Sequence, residues 1–200
     1  GEWYLRRRIM QGAMAELSER GVKFTMDELA RRLGVSKRTL YENFASKEEI
    51  VGAILAESAA EIKMKRESIA LNDGLCISEK FRQMLTVRSS LWTGISETVF
   101  MDVKRCMPDQ WRTIENTLDE LWLVVEILLQ EGVRTGHFRP IFFPALRIMF
   151  RGAYYEFANY QFLAQHKVTM EEMTDHIINI LLYGIARQDG NEQAGGNRNG

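Results

Sequence analysis

The chain has 200 residues, 46% hydrophobic and 26% charged, with a formal net charge of −1, which describes a soluble globular protein large enough for one or two packed cores. Its longest apolar run, 121–129, contains Glu126 and is far too short to span a bilayer, so a membrane protein is excluded from the expectations. Three prolines and few alternating β-branched runs disfavour a sheet, while abundant Leu, Met, Ala, Glu and Arg favour helix, so the fold class expected is all-α.

The near-neutral total hides an asymmetry. Residues 1–47 carry ten basic and six acidic side chains, a charge of +4, which leaves −5 for residues 48–200. A basic head on an acidic body fits a polyanionic partner at one end only. Two cysteines, Cys76 and Cys106, without a signal-like apolar leader, point to a reducing cytoplasm and away from a structural disulfide.

In chain order, Leu5, Ile9, Ala13 and Leu17 recur every four residues and Gly21 follows, which predicts a first helix over 3–20 with a glycine stop. Thr25 and Glu28 have capping-box spacing and open a second helix over 26–33. Gly34 supplies a left-handed stop, and Ser36 caps a third helix over 37–44. Ser46 and Glu49 form another capping box that starts a fourth helix running to about residue 70. After the Asn72–Gly74 break, helices are expected over 78–93, 96–107, 108–135, 143–165 and 169–187, about nine in all. Pro108 suits a first helical turn. The last residues, 188–200, lack apolar anchors and are expected to be a disordered tail. The division expected is 1–47, 48–187 and the tail.

The third helix is short, capped and polar outside. At 100° per residue Leu40 and Phe44 fall on one face with Val35, Leu29 and Leu33 behind, whereas Arg38, Thr39 and Glu42 point away, flanked by Tyr41 and Asn43. Two short helices joined by a glycine turn form the pattern of a helix-turn-helix, whose second helix enters the DNA major groove. Lys37 or Arg38 suits guanine O6 and N7, Asn43 suits adenine, and Glu42 suits cytosine N4, although a salt-bridging role fits Glu42 better. Thr25, Ser36, Thr39, Tyr41 and Lys47 suit phosphate oxygens, aided by helix N-termini. Arg6, Arg7 and Arg8 suit the DNA backbone or minor groove.

The stretch FTMDELARRLGVSKRTLYENFASKEEI, residues 24–50, resembles the DNA-binding motif of the tetracycline-repressor (TetR) family, with its "T..(D/E)LA..(L/A)GVS..TLY..F..K..L" cadence. EGVRTGHFRP, residues 131–140, is similar to that family's end of helix 7. The resemblance implies a two-domain helical regulator: an N-terminal three-helix DNA-binding domain and a C-terminal ligand-binding and dimerisation domain. Such a protein binds operator DNA as a homodimer and usually represses transcription until a small molecule occupies its body. By position it makes Lys37, Arg38, Tyr41 and Asn43 base readers, and Thr25, Ser36, Thr39 and Lys47 phosphate contacts. Arg38 and the Glu42–Asn43 pair depart from the small residue and the aromatic or histidine common there, which leaves the operator sequence open.

In the last predicted helix the apolar residues from Met173 to Ile185 span an arc of about 200°, wider than one core-facing stripe requires. Helix 8 (143–165) is apolar on most sides, with Gly152, Ala153 and Ala158 allowing close approach. Helices 8 and 9 (169–187) are therefore the expected homodimer interface, and two-fold symmetry predicts a near-palindromic operator with half-sites roughly 34 Å apart or slightly more. Helices 5 to 8 carry more large apolar side chains than a simple core needs. Met84, Trp92, Phe100, Trp122, Phe150 and Tyr154, with Arg88 as a polar fixer, are candidate lining for a lipophilic or aromatic effector; plain core packing is the alternative for each.

No Gly-rich phosphate loop, nucleophile elbow or metal-ligand cluster is present, and His137, His166 and His176 are isolated, so no enzyme activity, catalytic residue, metal or cofactor is expected. Two further readings stay open: a ligand-free body that binds another protein, and a thiol switch at Cys76 or Cys106.

Overall fold

Each cap signal in the first fifty residues is realised. A computed structural model of the protein describes residues 2–92, 98–157 and 160–184. Helix α1 (Glu2–Arg20) ends in a 3-10 turn, Gly21–Lys23, and α2 (Met26–Leu33) begins at the Thr25–Glu28 capping box. Gly34 is left-handed at φ 65°, the Gly34 amide bonds to the Arg31 carbonyl at 3.3 Å, and the Val35 amide bonds to the Ala30 carbonyl at 3.1 Å. These two reversed bonds satisfy carbonyls that the helix end would orphan. Ser36 then caps α3 (Lys37–Asn43), accepting from the Thr39 amide at 3.0 Å. Phe44, expected inside α3, is its extended, buried C-terminal cap.

Helix α4 (Lys47–Ala70) starts at Ser46 and carries the chain from head to body. The expected helix over 78–93 is shorter, α5 (Ile77–Thr86), because Val87 turns extended and Glu61 of α4 captures the Ser89 hydroxyl and the Ser90 amide. A 3-10 turn, Ser90–Trp92, follows. Then come α6 (Thr98–Cys106) and α7 (Pro108–Arg134), the latter with Pro108 in its first turn. The expected helix 143–165 is described as α8 (Phe143–Phe157) and α9 (Tyr160–His166), and the last as α10 (Met170–Tyr183). Thr169 and Glu172 make a capping box for α10 that the sequence reading passed over. Ala158 and residues 185–200, including the expected tail, lie outside the described residues.

The described residues contain ten α-helices and no strand, so the chain is all-α. Their apolar side chains form two cores. The first joins Ile9, Leu17, Leu29, Leu40 and Phe44 of the head and Ile54 of α4 to Val99 and Val103 of α6 and to Trp111 and Ile114 at the start of α7. The second holds Phe81, Met84, Trp122, Val125, Leu129 and Ile178. Helices α4 and α7 pack along one another and belong to both halves. The head is thus wedged onto α6 and α7 through shared apolar surface, and a change at either end of α7 has a mechanical route to the other. Gly12 lets α1 and α2 approach: a Cβ there would sit 2.8 Å from a Leu33 methyl carbon.

Among the described residues no helix is long and apolar enough to cross a membrane, and no group of three or more His, Cys, Asp or Glu could hold a metal. Cys76 and Cys106 are free and exposed.

Candidate nucleic-acid interface and effector cavity

Helix α3 is held at both ends and in the middle. Leu40 is fully buried beneath it. At its start Lys37 Nζ pairs with Asp27 Oδ2 of α2 at 2.5 Å. At its end Arg6 of α1 donates to the Asn43 carbonyl and stacks its guanidinium 3.9 Å from the Phe44 ring centroid. Arg8 likewise donates to the Leu33 carbonyl at the end of α2, 3.0 Å away. Cations at helix C-termini satisfy unpaired carbonyls and oppose the negative end of the helix dipole. Two of the three clustered arginines therefore brace the reading pair, and Arg7 lies 3.8 Å from Glu57.

With α3 so fixed, its outer face is defined. Arg38 is 87% exposed and Tyr41 50% exposed; Ser36, Lys37 and Glu42 are exposed beside them, and Thr39 is half-buried. Arg38 Nε donates to Glu42 Oε1 at 2.8 Å across one turn, a solvent-exposed pair that holds weakly and can open. Lys37, Arg38 and Tyr41 thus stand together on one projecting edge.

The hydroxyls expected at phosphates serve first as caps. Thr25 accepts from the Glu28 amide at 3.2 Å while its own amide donates to Glu28 Oε2 at 2.8 Å. These bonds from the Thr25 amide and hydroxyl, despite some burial, hold the Glu28 carboxyl below the usual carboxylate range. Ser36 and Thr39 share a 2.8 Å hydroxyl contact. Each hydroxyl keeps a lone pair or proton at the surface.

Asn43 and Lys47 are placed differently. Asn43 Nδ2 donates to the Thr39 carbonyl at 2.8 Å, and its Oδ1 is buried without a partner, so reaching a base would require its side chain to rotate. Lys47 turns inward: its ammonium donates to the carbonyls of Val22 and of Phe24, the latter at 3.1 Å, and lies 5.4 Å from the Phe24 ring centroid. It ties the start of α4 to the loop before α2 and keeps one N–H. Lys47→Met is expected to lower head stability by about 1–2 kcal/mol, measured by urea unfolding. A stability equal to wild type with a salt slope shallower by about one unit would instead make it a phosphate contact.

Beneath this surface lies a charge network invisible in the linear motif. Glu16 is only 2% exposed; it accepts from Arg32 Nε at 2.6 Å and lies 3.2 Å from Arg20 Nε. Bonds to Glu16, then to Glu19, raise the Arg32 pKa above its usual value. Arg20 and Arg32, counted in the basic head, are therefore largely neutralised.

In the body, α4, residues 85–92, α7, α8 and α10 enclose a cavity of about 350 Å³. Four of the seven expected lining residues meet there: Arg88, Trp92, Trp122 and Phe150. Met84 is fully buried in the core behind, and Leu85 takes its place in the wall. Phe100 and Tyr154 lie on α6 and α8, and their side chains are outside the described residues. Arg66, which the sequence reading missed, also lines the cavity; nothing in its α4 context marks it as inward-facing.

The cavity wall is bonded to α4. Trp92 Nε1 donates to Ser58 Oγ at 2.8 Å, Lys65 Nζ donates to the Arg88 carbonyl at 2.9 Å, and Glu61 accepts from the Ser89 hydroxyl at 2.6 Å and from the Ser90 amide at 3.0 Å. Burial opposes the Glu61 charge, but bonds from Lys65, Ser89 and Ser90 prevail and depress its pKa to about 2. A depressed carboxyl pKa contributes stability that is complete above its unfolded value, about 4.3, and is lost as pH falls toward the folded value. Acid unfolding followed between pH 5 and 2 should therefore show a steeper loss for wild type than for Glu61→Gln; parallel curves would remove this clamp from the account.

An exposed, braced second helix after a glycine turn, on a helical body that encloses a cavity, defines a helix-turn-helix DNA-binding protein. Residues 9–54 match the model of the bacterial regulatory proteins of the tetR family, so that segment, which holds α2 and α3, is similar to the family's DNA-binding domain. The chain is 28% identical over 183 residues, 92% of this chain and 96% of the relative, to the uncharacterized HTH-type transcriptional regulator YvaF of Bacillus subtilis. Its fold is similar to that of the regulator FadR from Bacillus subtilis, solved with stearoyl-CoA, at TM-score 0.71 and 18% identity, covering 90% of this chain and 99% of that one. It is also similar to AibR, solved with isovaleryl coenzyme A and operator DNA, at TM-score 0.63 and 16% identity, covering 90% and 98%.

Proposed function

We propose that the protein is a dimeric repressor whose paired α3 helices read a near-palindromic operator and whose cavity takes a small lipophilic or aromatic effector that releases it. The observation that carries this reading is the exposed Lys37–Arg38–Tyr41 edge on a helix braced at both ends, because a reader must be preorganised to discriminate bases. Lys37 and Arg38 read bases, Tyr41 serves base or backbone, and Thr25, Ser36 and Thr39 take phosphates; Asn43 joins the base readers once its side chain rotates. Residues 1–47 act as the DNA-binding domain and 48–187 as the effector and dimerisation domain, with the apolar core shared by the head, α6 and α7 as their coupling. The protein regulates rather than catalyses, and it works in the cytoplasm, where its operator is.

Exposed Ile148 and Met149 on α8, Phe142 just before it, and Ile180 and Tyr183 on α10 support pairing of two copies through these helices, since large apolar side chains left exposed on two helices mark surface that a partner can cover. Ile180→Arg is expected to convert dimer to monomer in sedimentation at micromolar concentration and to weaken full-operator binding at least a hundredfold, while leaving weak half-site binding. A variant that stays dimeric removes α10 from the interface.

The FadR and AibR structures, each with a coenzyme A ester, support an acyl-type apolar occupant. An effector shifts the protein only if it prefers the conformation with misplaced α3 helices, and the bonds from residues 88–92 to α4 offer that route. The test is operator binding measured with and without apolar ligands: cavity occupants should lower affinity, and ligands that bind tightly without changing it would contradict effector control.

A further inference from the structure

Most cations around the cavity are matched or wet. Arg147 and Arg151 share Asp119, at 2.9 and 3.4 Å, and Arg88 is exposed. Arg66 is neither. Its Nε donates to the Met84 carbonyl and its Nη1 to the Leu121 carbonyl, both at 2.8 Å. No carboxylate among the described residues pairs with it, and burial alone lowers its pKa to about 10, so the guanidinium remains charged at neutral pH. Two of its five donors are used on neutral carbonyls; the rest of the fork has no acceptor among the described residues, and Arg66 lines the cavity wall. Next along α7 from Leu121, Trp122 is 8% exposed, and its indole N–H is buried with no acceptor.

A half-buried cation without a counter-charge is costly, as is an orphaned donor. Ile62, Leu85, Leu118, Phe150 and Ile177 give the wall apolar surface, and of the two carboxylates that also line it Asp119 is shared by Arg147 and Arg151. We propose that the effector is a carboxylic acid with an apolar body, whose carboxylate is held inside the cavity by the Arg66 guanidinium. The match is chemical: a planar carboxylate fits a guanidinium fork in a charge-assisted pair. This inference rests on the cavity being the effector site. It narrows that reading to an acid rather than any apolar compound of suitable size.

The test is calorimetric titration of the full-length dimer with decanoate, decanamide and 1-decanol, which share one body and differ in the head. Wild type should bind decanoate at least tenfold more tightly than either neutral analogue. Arg66→Gln should erase that preference while leaving decanamide affinity within about threefold, and Arg66→Lys, which keeps the charge but not the fork, should fall between. If Arg66→Gln fails to fold, the wild-type preference and the lysine variant still decide. Wild type binding all three equally, or none, overturns the proposal, as does a preference that survives Arg66→Gln. Ala59→Trp, which fills the cavity, separates the two claims. Neutral analogues that bind wild type but not this variant, without any preference for the acid, sink only the carboxylate; ligands that bind the variant as well as wild type sink the cavity itself.

Discussion

Arg38→Ala should cost the dimer at least about thirtyfold in specific operator affinity, with non-specific binding reduced only slightly and the melting temperature unchanged. Arg38 is the most projecting cation of α3, 87% exposed, and its one ion-pair partner among the described residues is Glu42 of the same helix. Such an exposed pair contributes little to folding, so the variant folds as wild type does. On DNA a guanidinium that forks onto a guanine is worth about 1–3 kcal/mol, and a symmetric dimer loses two such contacts. Glu42→Gln supplies the contrast: freeing Arg38 from its carboxylate should strengthen binding to all sequences and relax selectivity. Competition titrations against random DNA measure both. Equal losses for Arg38→Ala on operator and random sequence would make Arg38 a backbone contact and leave base reading to Lys37 and Tyr41.

Gly132→Ala should destabilise the body by about 2–4 kcal/mol. Near the end of α7, Gly132 accepts from the Phe138 amide at 2.9 Å, and a Cβ on it would stand 2.2 Å from Cδ2 of the Phe138 ring. No rotation of the methyl relieves a clash with a ring wedged between α7 and Phe81, whose centroid is 6.3 Å away. The ring would leave the second core and take part of its packing with it. Phe138→Ala is itself destabilising, but adding Gly132→Ala to it should cost little more, since the obstacle is gone. A double-mutant cycle by urea unfolding reads this coupling; additive losses would contradict the wedge.

The sequence disclosed local features well. Thr25, Gly34, Ser36 and Ser46 act on neighbours within a few residues, so their spacing located the starts of α2, α3 and α4 and the turn between the reading pair. The resemblance of residues 24–50 to the TetR motif added the reading mode, and the same stretch lies within the matched family segment. What the letters concealed depends on distant partners. That Arg6 and Arg8 also bond the carbonyls of Asn43 and Leu33 was not legible in their spacing. Helix α5 stopped short of its periodic pattern because Glu61, far back in the chain, competes for Ser89 and Ser90. Arg66 could not be singled out, since one arginine in a charged helix looks like any other until the fold lays it against the carbonyls of Met84 and Leu121. Trp92, Trp122 and Phe150 were legible as surplus apolar surface, but only the packing of α4, α7 and α8 turned them into a wall.

The central claim is that α3, doubled by symmetry, reads DNA. The direct measurement is selection of bound fragments from the source genome by the full-length protein, followed by hydroxyl-radical footprinting of the enriched site. The account predicts one recurring near-palindrome, with two protected half-sites about one helical turn apart or slightly more and a base preference within each that shifts in Arg38→Ala. Enrichment that follows charge alone, with no shared sequence and no paired protection, would contradict it.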